Sequence, residues 1–158
     1  MNNWTFTKIY AFFLAFVQSC TFADLLDEEL EEELSKFLLR ALADFRFPQV
    51  ELDFEPVYDE EDDQKIVDYR FTDEGFSQKE VNVLLAYMRK YFFEWIVARE
   101  KNFEQQYYDS DTKTHSLGNL VQQMNSAYKA AIKEANDINY DYTRSDDKRK
   151  ARIGAVNE

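Results

Sequence analysis

The longest amphipathic segment of the chain lies between Ser77 and Tyr107 and reads SQKEVNVLLAYMRKYFFEWIVAREKNFEQQY. Ser77 and Glu80 have the spacing of a capping box, in which a hydroxyl and a carboxylate each accept a hydrogen bond from a free backbone N–H at the start of a helix. Apolar side chains then recur every three or four residues, at positions 81, 84, 85, 88, 92, 95, 96 and 103. The pattern predicts one helix of roughly eight turns that ends near Tyr107.

A second amphipathic segment follows the turn-forming residues 109–114. Its apolar residues again recur at intervals of three and four, at positions 117, 120, 121, 124, 128, 131, 132 and 135. We expect this helix to begin near Thr114 or Ser116 and to end at Asn136-Asp137, with residues 143–158 forming a flexible tail. Because the connection is short, the two helices are predicted to pack side by side in antiparallel directions.

The composition indicates a folded, mainly helical chain. Of its 158 residues, 45% are hydrophobic and 16% aromatic, whereas a disordered acidic chain is poor in aromatic residues. Only 3 glycines and 2 prolines interrupt it, too few for the many tight turns of a β-sandwich or barrel. The formal net charge of -12 opposes binding to the phosphates of nucleic acid or anionic lipid, so a basic or cationic partner fits better.

The acidic residues are concentrated in the first half of the chain. Residues 24–46 hold eight acidic side chains against three basic ones, and residues 51–75 hold eleven against two. The remainder, residues 76–158, is nearly balanced, with 13 basic and 12 acidic side chains. Such a block of acidic residues is typical of a cleaved segment or of a contact surface for a positively charged partner.

Two further helical segments are predicted within this acidic half. In residues 24–46, apolar side chains at positions 26, 30, 34, 37, 38, 41, 42 and 45 form the stripe of a short amphipathic helix. A shorter helical piece is predicted around residues 64–71, where Ile66, Val67 and Tyr69 supply the apolar positions.

Residues 1–23 have the features of a signal peptide. Lys8 is the only charge among them and precedes the apolar run 9–17, which is shorter than the roughly 20 residues needed to span a bilayer. Thr21 and Ala23 place small side chains at the two positions that signal peptidase reads, so we predict processing after Ala23 and export of the chain.

The single cysteine, Cys20, would be removed with this peptide, which would leave a mature chain without a disulfide. The alternative is a bacterial lipoprotein lipidated at Cys20. Gln18 disfavours that alternative because lipoprotein signals usually carry a small or aliphatic residue there.

The sequence contains no motif that indicates catalysis, a cofactor or a metal. Its one histidine, His115, lies in a loop-like stretch with no cysteine nucleophile left in the mature chain. No glycine-rich phosphate loop and no His or Cys pair with zinc spacing is present. The acidic run 59–63 is expected to be a solvated loop rather than a calcium site. We therefore predict a protein that is not an enzyme.

Phe93, Tyr107 and Tyr108 lie partly off the apolar stripe of the long helix. Since large aromatic side chains are enriched where partners bind, we predict that these three are exposed contact residues.

The segment Leu84–Trp95, LLAYMRKYFFEW, together with Ser116-Leu117-Gly118 and Ala127-Tyr128 further on, resembles the gastropod sperm lysin family. That family comprises abalone lysin, its fusion-promoting paralogue and the major acidic sperm protein of top snails, to which the acidic balance is closest in character. The resemblance implies an all-α, up-and-down bundle of about five helices with one long central helix, and the bundle would comprise residues 47–142. The chain departs from lysin in charge, because its long helix lacks the family's continuous basic tracks.

The same resemblance suggests that residues 24–46 are an acidic propeptide, removed near Arg46 or Arg40. The alternative is that this segment is the first helix of the bundle, and the residues themselves do not separate the two.

The function implied by the resemblance is that of a non-enzymatic secreted sperm protein of the acrosomal vesicle, acting in fertilisation by egg-surface recognition or membrane fusion. Its partner would be an egg-surface or envelope glycoprotein, or a basic sperm protein, and not nucleic acid; the chain could also form a homodimer. Two alternatives are a secreted acidic, calcium-associated matrix protein and a precursor of peptides cleaved at Arg89-Lys90 and at residues 148–150.

Overall fold

The structure, a computed structural model, describes residues 3–18, 29–107 and 114–154. Within these residues the chain forms four α-helices and one β-hairpin: α1 (Phe6–Gln18), α2 (Glu29–Asp44), β1 (Phe54–Tyr58), β2 (Ile66–Phe71), α3 (Gln78–Tyr107) and α4 (Thr114–Gly154). The prediction of a mainly helical chain is confirmed. The expected all-α bundle of about five helices is corrected, because two strands stand between α2 and α3.

Helix α3 begins and ends where the sequence predicts. The Glu80 carboxylate accepts hydrogen bonds from the backbone N–H of Ser77 at 2.8 Å and from its hydroxyl at 2.7 Å, and the Lys79 N–H points to the Ser77 hydroxyl at 3.4 Å. This is a variant of the predicted capping box, in which the serine oxygen meets the second rather than the third helical N–H.

Helices α3 and α4 run antiparallel, as predicted. Glu80, Tyr87 and Arg89 of α3 contact residues of α4 in the reverse order, namely Tyr142, Asn139 and Glu134. The predicted end of α4 at Asn136-Asp137 is wrong, since the helix continues to Gly154. Residues 143–154 of the predicted flexible tail belong to this helix, and residues 155–158 lie outside the described residues. Its buried face extends past Ala135 to Asn139 and Tyr142, so tertiary contacts override the local helix-breaking residues.

The helical piece predicted around residues 64–71 is wrong, because Ile66–Phe71 form strand β2. β1 and β2 pair antiparallel, with Phe54 opposite Phe71, Pro56 opposite Tyr69 and Tyr58 opposite Ile66. The register shifts between Val57 and Tyr58, which leaves Val67 as the extra residue of a β-bulge. Val, Ile, Tyr and Phe dominate the two strands, and these side chains suit a pleated surface better than a helix.

Helix α1, within the predicted signal peptide, packs into the core. Ile9 and Phe13 are 0% exposed, and the ring of Phe13 lies 5.8 Å from that of Phe92 and 6.2 Å from that of Phe37. The chain before α1 also touches the hairpin, because the Phe71 N–H donates to the Trp4 carbonyl at 3.1 Å. Processing after Ala23, a residue outside the described ranges, would remove all of these contacts. The signal peptide stays a prediction.

Helix α2 is the predicted helix of residues 24–46, and its apolar stripe faces α1 and α3. Leu38 and Ala41 are 0% exposed, and Phe37 is 2% exposed. At its outer side, Arg40 lies over the ring of Tyr91 at 3.9 Å and bonds to Glu94 at 3.0 Å. The packing agrees with the alternative that this segment is a helix of the fold; removal as a propeptide stays a prediction.

We predict that Phe13→Ala destabilises the fold much more than Phe12→Ala. Phe13 is fully buried among three helices, whereas Phe12, its neighbour on α1, is 46% exposed. Truncating a buried phenylalanine costs about 3–5 kcal/mol, while an exposed one costs little. Urea denaturation followed by circular dichroism measures both free energies of unfolding. Equal values for the two variants would show that α1 does not pack as described.

A second prediction concerns Tyr10 on the same helix. Burial, helped by the nearby Asp68 carboxylate, raises the pKa of Tyr10 to about 12 from the model-compound value of 10.0. Because the folded pKa is the higher one, the stabilisation is complete below pH 10 and declines as the pH rises towards 12. Denaturation between these pH values should therefore show a steeper loss of stability for the native chain than for Tyr10→Phe, which has no phenol to ionise. Parallel losses would contradict the burial of this hydroxyl.

Candidate functional site

Of the three residues predicted to bind a partner, the structure describes the side chain of Phe93 alone, and that side chain is buried. Phe93 is 8% exposed, and its ring lies 5.3 Å from that of Phe92 and 6.2 Å from that of Phe16 on α1. The prediction that Phe93 is exposed is wrong. Phe93 lies on a side of α3 that does not face α4 in the predicted pair of helices, and α1 packs against that side through Phe16. Tyr107 is the last residue of α3, with a side chain that is not described, and Tyr108 lies outside the described residues.

The basic residues at the centre of α3 are engaged within the molecule. Arg89 bonds to Glu134 of α4 at 2.8 Å and lies over the ring of Phe16 at 5.0 Å. Lys90 is 3.7 Å from the Asp44 carboxylate and 4.9 Å from the centre of the Tyr91 ring. These contacts join α3 to its neighbours, so this part of the helix does not present a free basic track of the kind found on lysins.

One face of the β-hairpin is apolar along its whole length. Side chains on a strand alternate between the two faces, so Phe54, Pro56 and Tyr58 lie on one face of the hairpin. Their cross-strand partners are Phe71, Tyr69 and Ile66, and Ile66 joins this face because the bulge at Val67 shifts the alternation of β2 by one residue. The other face is more polar, with Glu55 paired to Arg70 and Val57 paired to Asp68.

The apolar face is partly covered at its base and more exposed towards its tip. The ring of Phe6 on α1 lies 4.8 Å from that of Phe54, 5.4 Å from that of Tyr69 and 5.6 Å from that of Phe71. At the base, Phe71 is 0% exposed and its partner Phe54 38%, and Tyr69 in the middle is 36% exposed. It reaches 46% at Ile66 and 49% at Tyr58. We refer to Phe54, Tyr58, Ile66 and Tyr69 as the hairpin face.

The loop between the strands is acidic and internally ordered. The Asp59 carboxylate accepts from the Glu61 N–H at 3.0 Å and from the Lys65 ammonium at 3.2 Å, while Asp62 accepts from the Gln64 N–H at 3.0 Å. The hydrogen bond from Glu61 and then that from Lys65 hold the pKa of Asp59 below its ordinary value. Residues 59–63, which we call the acidic loop, therefore form a defined turn beside the hairpin face.

The outer edge of β1, on the side away from β2, is poorly suited to adding another strand. The Asp53 carbonyl accepts from the Thr72 N–H at 3.0 Å, so residues 53, 55 and 57 direct their backbone polar groups towards β2. Residues 54, 56 and 58 direct theirs outwards, and Pro56, at the centre of this set, has no N–H. A partner of this hairpin therefore meets its side chains more readily than its backbone edge.

The link between α2 and β1 is held by one buried asparagine of α4. Asn139, 4% exposed, accepts hydrogen bonds from the Arg46 N–H at 2.9 Å and the Tyr87 hydroxyl at 3.0 Å, and donates to the Arg46 carbonyl at 2.9 Å. Both backbone polar groups of Arg46 are thus bonded to α4. A protease would have to break these bonds before cutting there, and processing at Arg46 stays a prediction.

A surface pocket of about 460 Å3 opens beside this asparagine, with Phe47 and Tyr140 among its lining residues. Phe47 is 80% exposed and has φ 53, a left-handed conformation that strains a bulky residue. Burial raises the pKa of Tyr87 at the pocket wall, Arg46 opposes that shift and Asp44 adds to it. The polar groups of Asn139 and Tyr87 already bond to each other, so the pocket is a feature of the link rather than a convincing ligand site.

A second buried polar cluster fastens the same link to α3. The Tyr142 hydroxyl donates to Glu80 at 2.7 Å and accepts from the Gln49 N–H at 2.9 Å. Glu80 is 3% exposed, and its other oxygen accepts from Ser77. A buried carboxylate is tolerated only when its oxygens are hydrogen-bonded, so the capping residue of α3 also anchors α4.

Within the described ranges, no three His, Cys, Asp or Glu side chains are arranged to hold a metal ion. None of the described helices combines the length and the apolar character that crossing a bilayer requires. No family model matches the chain, and no curated protein or solved structure matches it either.

We predict that Tyr142→Phe is clearly destabilising and that Tyr140→Phe is nearly neutral. Removing the Tyr142 hydroxyl leaves the buried Glu80 without one of its donors, which costs about 1–3 kcal/mol. Tyr140 is 62% exposed on the same helix and serves as the matched control. Urea denaturation of both variants compares the free energies of unfolding. A Tyr142→Phe variant as stable as the control would contradict the buried network.

Proposed function

We propose that this chain is a non-enzymatic binding protein that holds a partner protein against the hairpin face. The observation that carries the proposal is the apolar face that continues outwards from the core. At its inner end Phe71 is buried and Phe54 is 38% exposed, while Tyr58 and Ile66 at the outer end are 49% and 46% exposed. Contiguous apolar side chains of this kind mark interaction sites, whereas single exposed ones are ordinary.

The composition of the hairpin face suits protein recognition. Three of its four side chains are aromatic, and two of those are tyrosines, which combine a large apolar body with a hydroxyl. Aromatic residues dominate the energy of many interfaces because they bury a large area at a small cost in side-chain entropy. The rings are also held in place from below, since Phe54 and Tyr69 contact each other at 5.6 Å and both contact Phe6.

The finer proposal is the one that the resemblance to sperm lysins implies, namely a secreted acrosomal protein that acts in fertilisation. Its support is the mainly helical fold and the position of the resembling segment Leu84–Trp95 at the centre of the long helix α3. Its egg-surface or sperm partner would then dock on the hairpin face. Processing after Ala23 would remove Phe6 with the rest of α1, so in a processed chain the base of that face would lose this cover. Immunolocalisation to the acrosome tests this proposal, and expression confined to other tissues would contradict it.

The alternative is a secreted acidic, calcium-associated matrix protein. It predicts that calorimetry detects binding when the chain is titrated with millimolar calcium, and no measurable binding would remove it.

We predict that Tyr58→Ser with Ile66→Ser weakens partner binding about tenfold or more, because each lost anchor costs about 1–2 kcal/mol or more. The matched control is Phe12→Ser with Leu39→Ser, two side chains of similar exposure, 46% and 49%, on the helices. A partner is captured from the source tissue, identified by mass spectrometry and produced in pure form. Calorimetry then gives its Kd for the native chain and both variants.

Circular dichroism first verifies that both double variants remain folded. An equal Kd for the hairpin variant and the native chain would refute the proposed site. Equal weakening by the hairpin variant and the control variant would show that the partner does not bind specifically to the hairpin face.

A further inference from the structure

We infer that the partner segment recognised by the hairpin face is a basic, apolar stretch of another protein chain, with lysine or arginine side chains flanking its apolar residues. The inference rests on the proposed function, because it names the chemistry of the partner at the same site. It follows from the charge that surrounds the exposed end of the face.

The outermost apolar pair of the hairpin lies next to an anionic rim. Tyr58 is followed directly by the five acidic residues of the acidic loop, Asp59 to Asp63, whereas Gln64 and Lys65 separate that loop from Ile66. Because Tyr58 and Ile66 are paired across the strands, the acidic loop joins the outermost apolar pair at its Tyr58 side. A segment that covers this pair therefore lies close to the carboxylates as well.

The carboxylates of the loop divide into two sets. Asp59 and Asp62 accept the hydrogen bonds that shape the turn, and Asp59 also pairs with Lys65. Glu60, Glu61 and Asp63 are exposed, and among the described residues none of their carboxylates takes part in those turn-forming bonds. These three are the groups that a partner's ammonium or guanidinium can approach without dismantling the loop.

Charge also argues against the other occupants of such a face. A second copy of this chain would bring its own acidic loop to the interface, and like charges brought together at an interface oppose association. A vesicle of anionic lipid or a nucleic acid would be repelled by the same carboxylates. A cationic segment is attracted, and its attraction depends on salt because the loop is exposed to solvent.

The test uses three synthetic dye-labelled peptides of about twelve residues, at a length sufficient to cover one hairpin face. The first has leucine at every third or fourth position and lysine elsewhere, the second has glutamate in place of lysine, and the third has serine in place of leucine. Fluorescence anisotropy with the full chain gives each Kd at about 50 and about 300 mM salt.

Two triple variants separate the local charge from the net charge. Glu60→Gln, Glu61→Gln and Asp63→Asn neutralise the rim and keep the two carboxylates that shape the turn. Glu32→Gln, Asp137→Asn and Asp141→Asn remove the same number of charges from exposed positions on α2 and α4. The Tyr58→Ser, Ile66→Ser variant reports on the apolar face itself.

The leucine–lysine peptide should bind most tightly, and its Kd should rise about tenfold between the two salt concentrations. The rim variant should raise that Kd about three- to tenfold at low salt, while the control triple changes it by less than about twofold. Equal weakening by the two triples, or equal binding of the leucine–glutamate peptide, would overturn the inferred partner chemistry.

The outcomes also separate this inference from the proposed function. If the hairpin-face variant weakens both leucine peptides and the rim variant weakens neither, the face binds partners and the inferred basic chemistry is wrong. If the hairpin-face variant leaves all Kd values unchanged, the proposed function itself fails. Light scattering that shows a dimer dissociated by the hairpin-face variant would assign the face to a second copy and overturn the inference.

Discussion

The packing of the Phe13 ring is the contact on which the rest of the structure depends. It brings α1 against Phe37 of α2 and Phe92 of α3, so three helices meet at one fully buried side chain. With α1 fixed in this place, Phe6 at its start reaches the base of the hairpin. The same helix therefore closes the core and contacts only the inner half of the hairpin face, while Tyr58 and Ile66 at the outer end are about half exposed, which is the feature on which the proposed binding rests.

The parts of the fold that the sequence predicted are those with strong local signals. The capping box at Ser77 and the long apolar stripe defined α3 from beginning to end, and the stripe of residues 24–46 predicted α2. The end of α4 was missed because Asn136-Asp137 is a helix terminator only when the following residues have nothing to contact. Here Asn139 and Tyr142 form hydrogen bonds with the buried side chains of Tyr87 and Glu80 on α3. A local sequence pattern does not predict such long-range contacts.

The candidate site was only partly predictable. The acidic run was correctly expected to be a loop, but the segment after it was interpreted as helical from three apolar residues. The alternation Asp68-Tyr69-Arg70-Phe71 was the available signal for a half-buried strand. The burial of Phe93 had no such signal. An apolar run such as residues 9–17 is equally compatible with an export signal and with a core helix, and composition does not separate the two.

Pro56 has a consequence for how such a molecule behaves when it is concentrated. A hairpin that carries exposed aromatic side chains and a bare strand edge is the kind of element from which fibres grow, one chain extending the sheet of the next. Residues 54, 56 and 58 direct their backbone polar groups away from β2, and the central one is a proline without an N–H. A strand added to this edge would therefore lack one hydrogen-bond donor at its centre. The chain can thus expose the aromatic side chains of the hairpin face while it resists stacking into insoluble polymers.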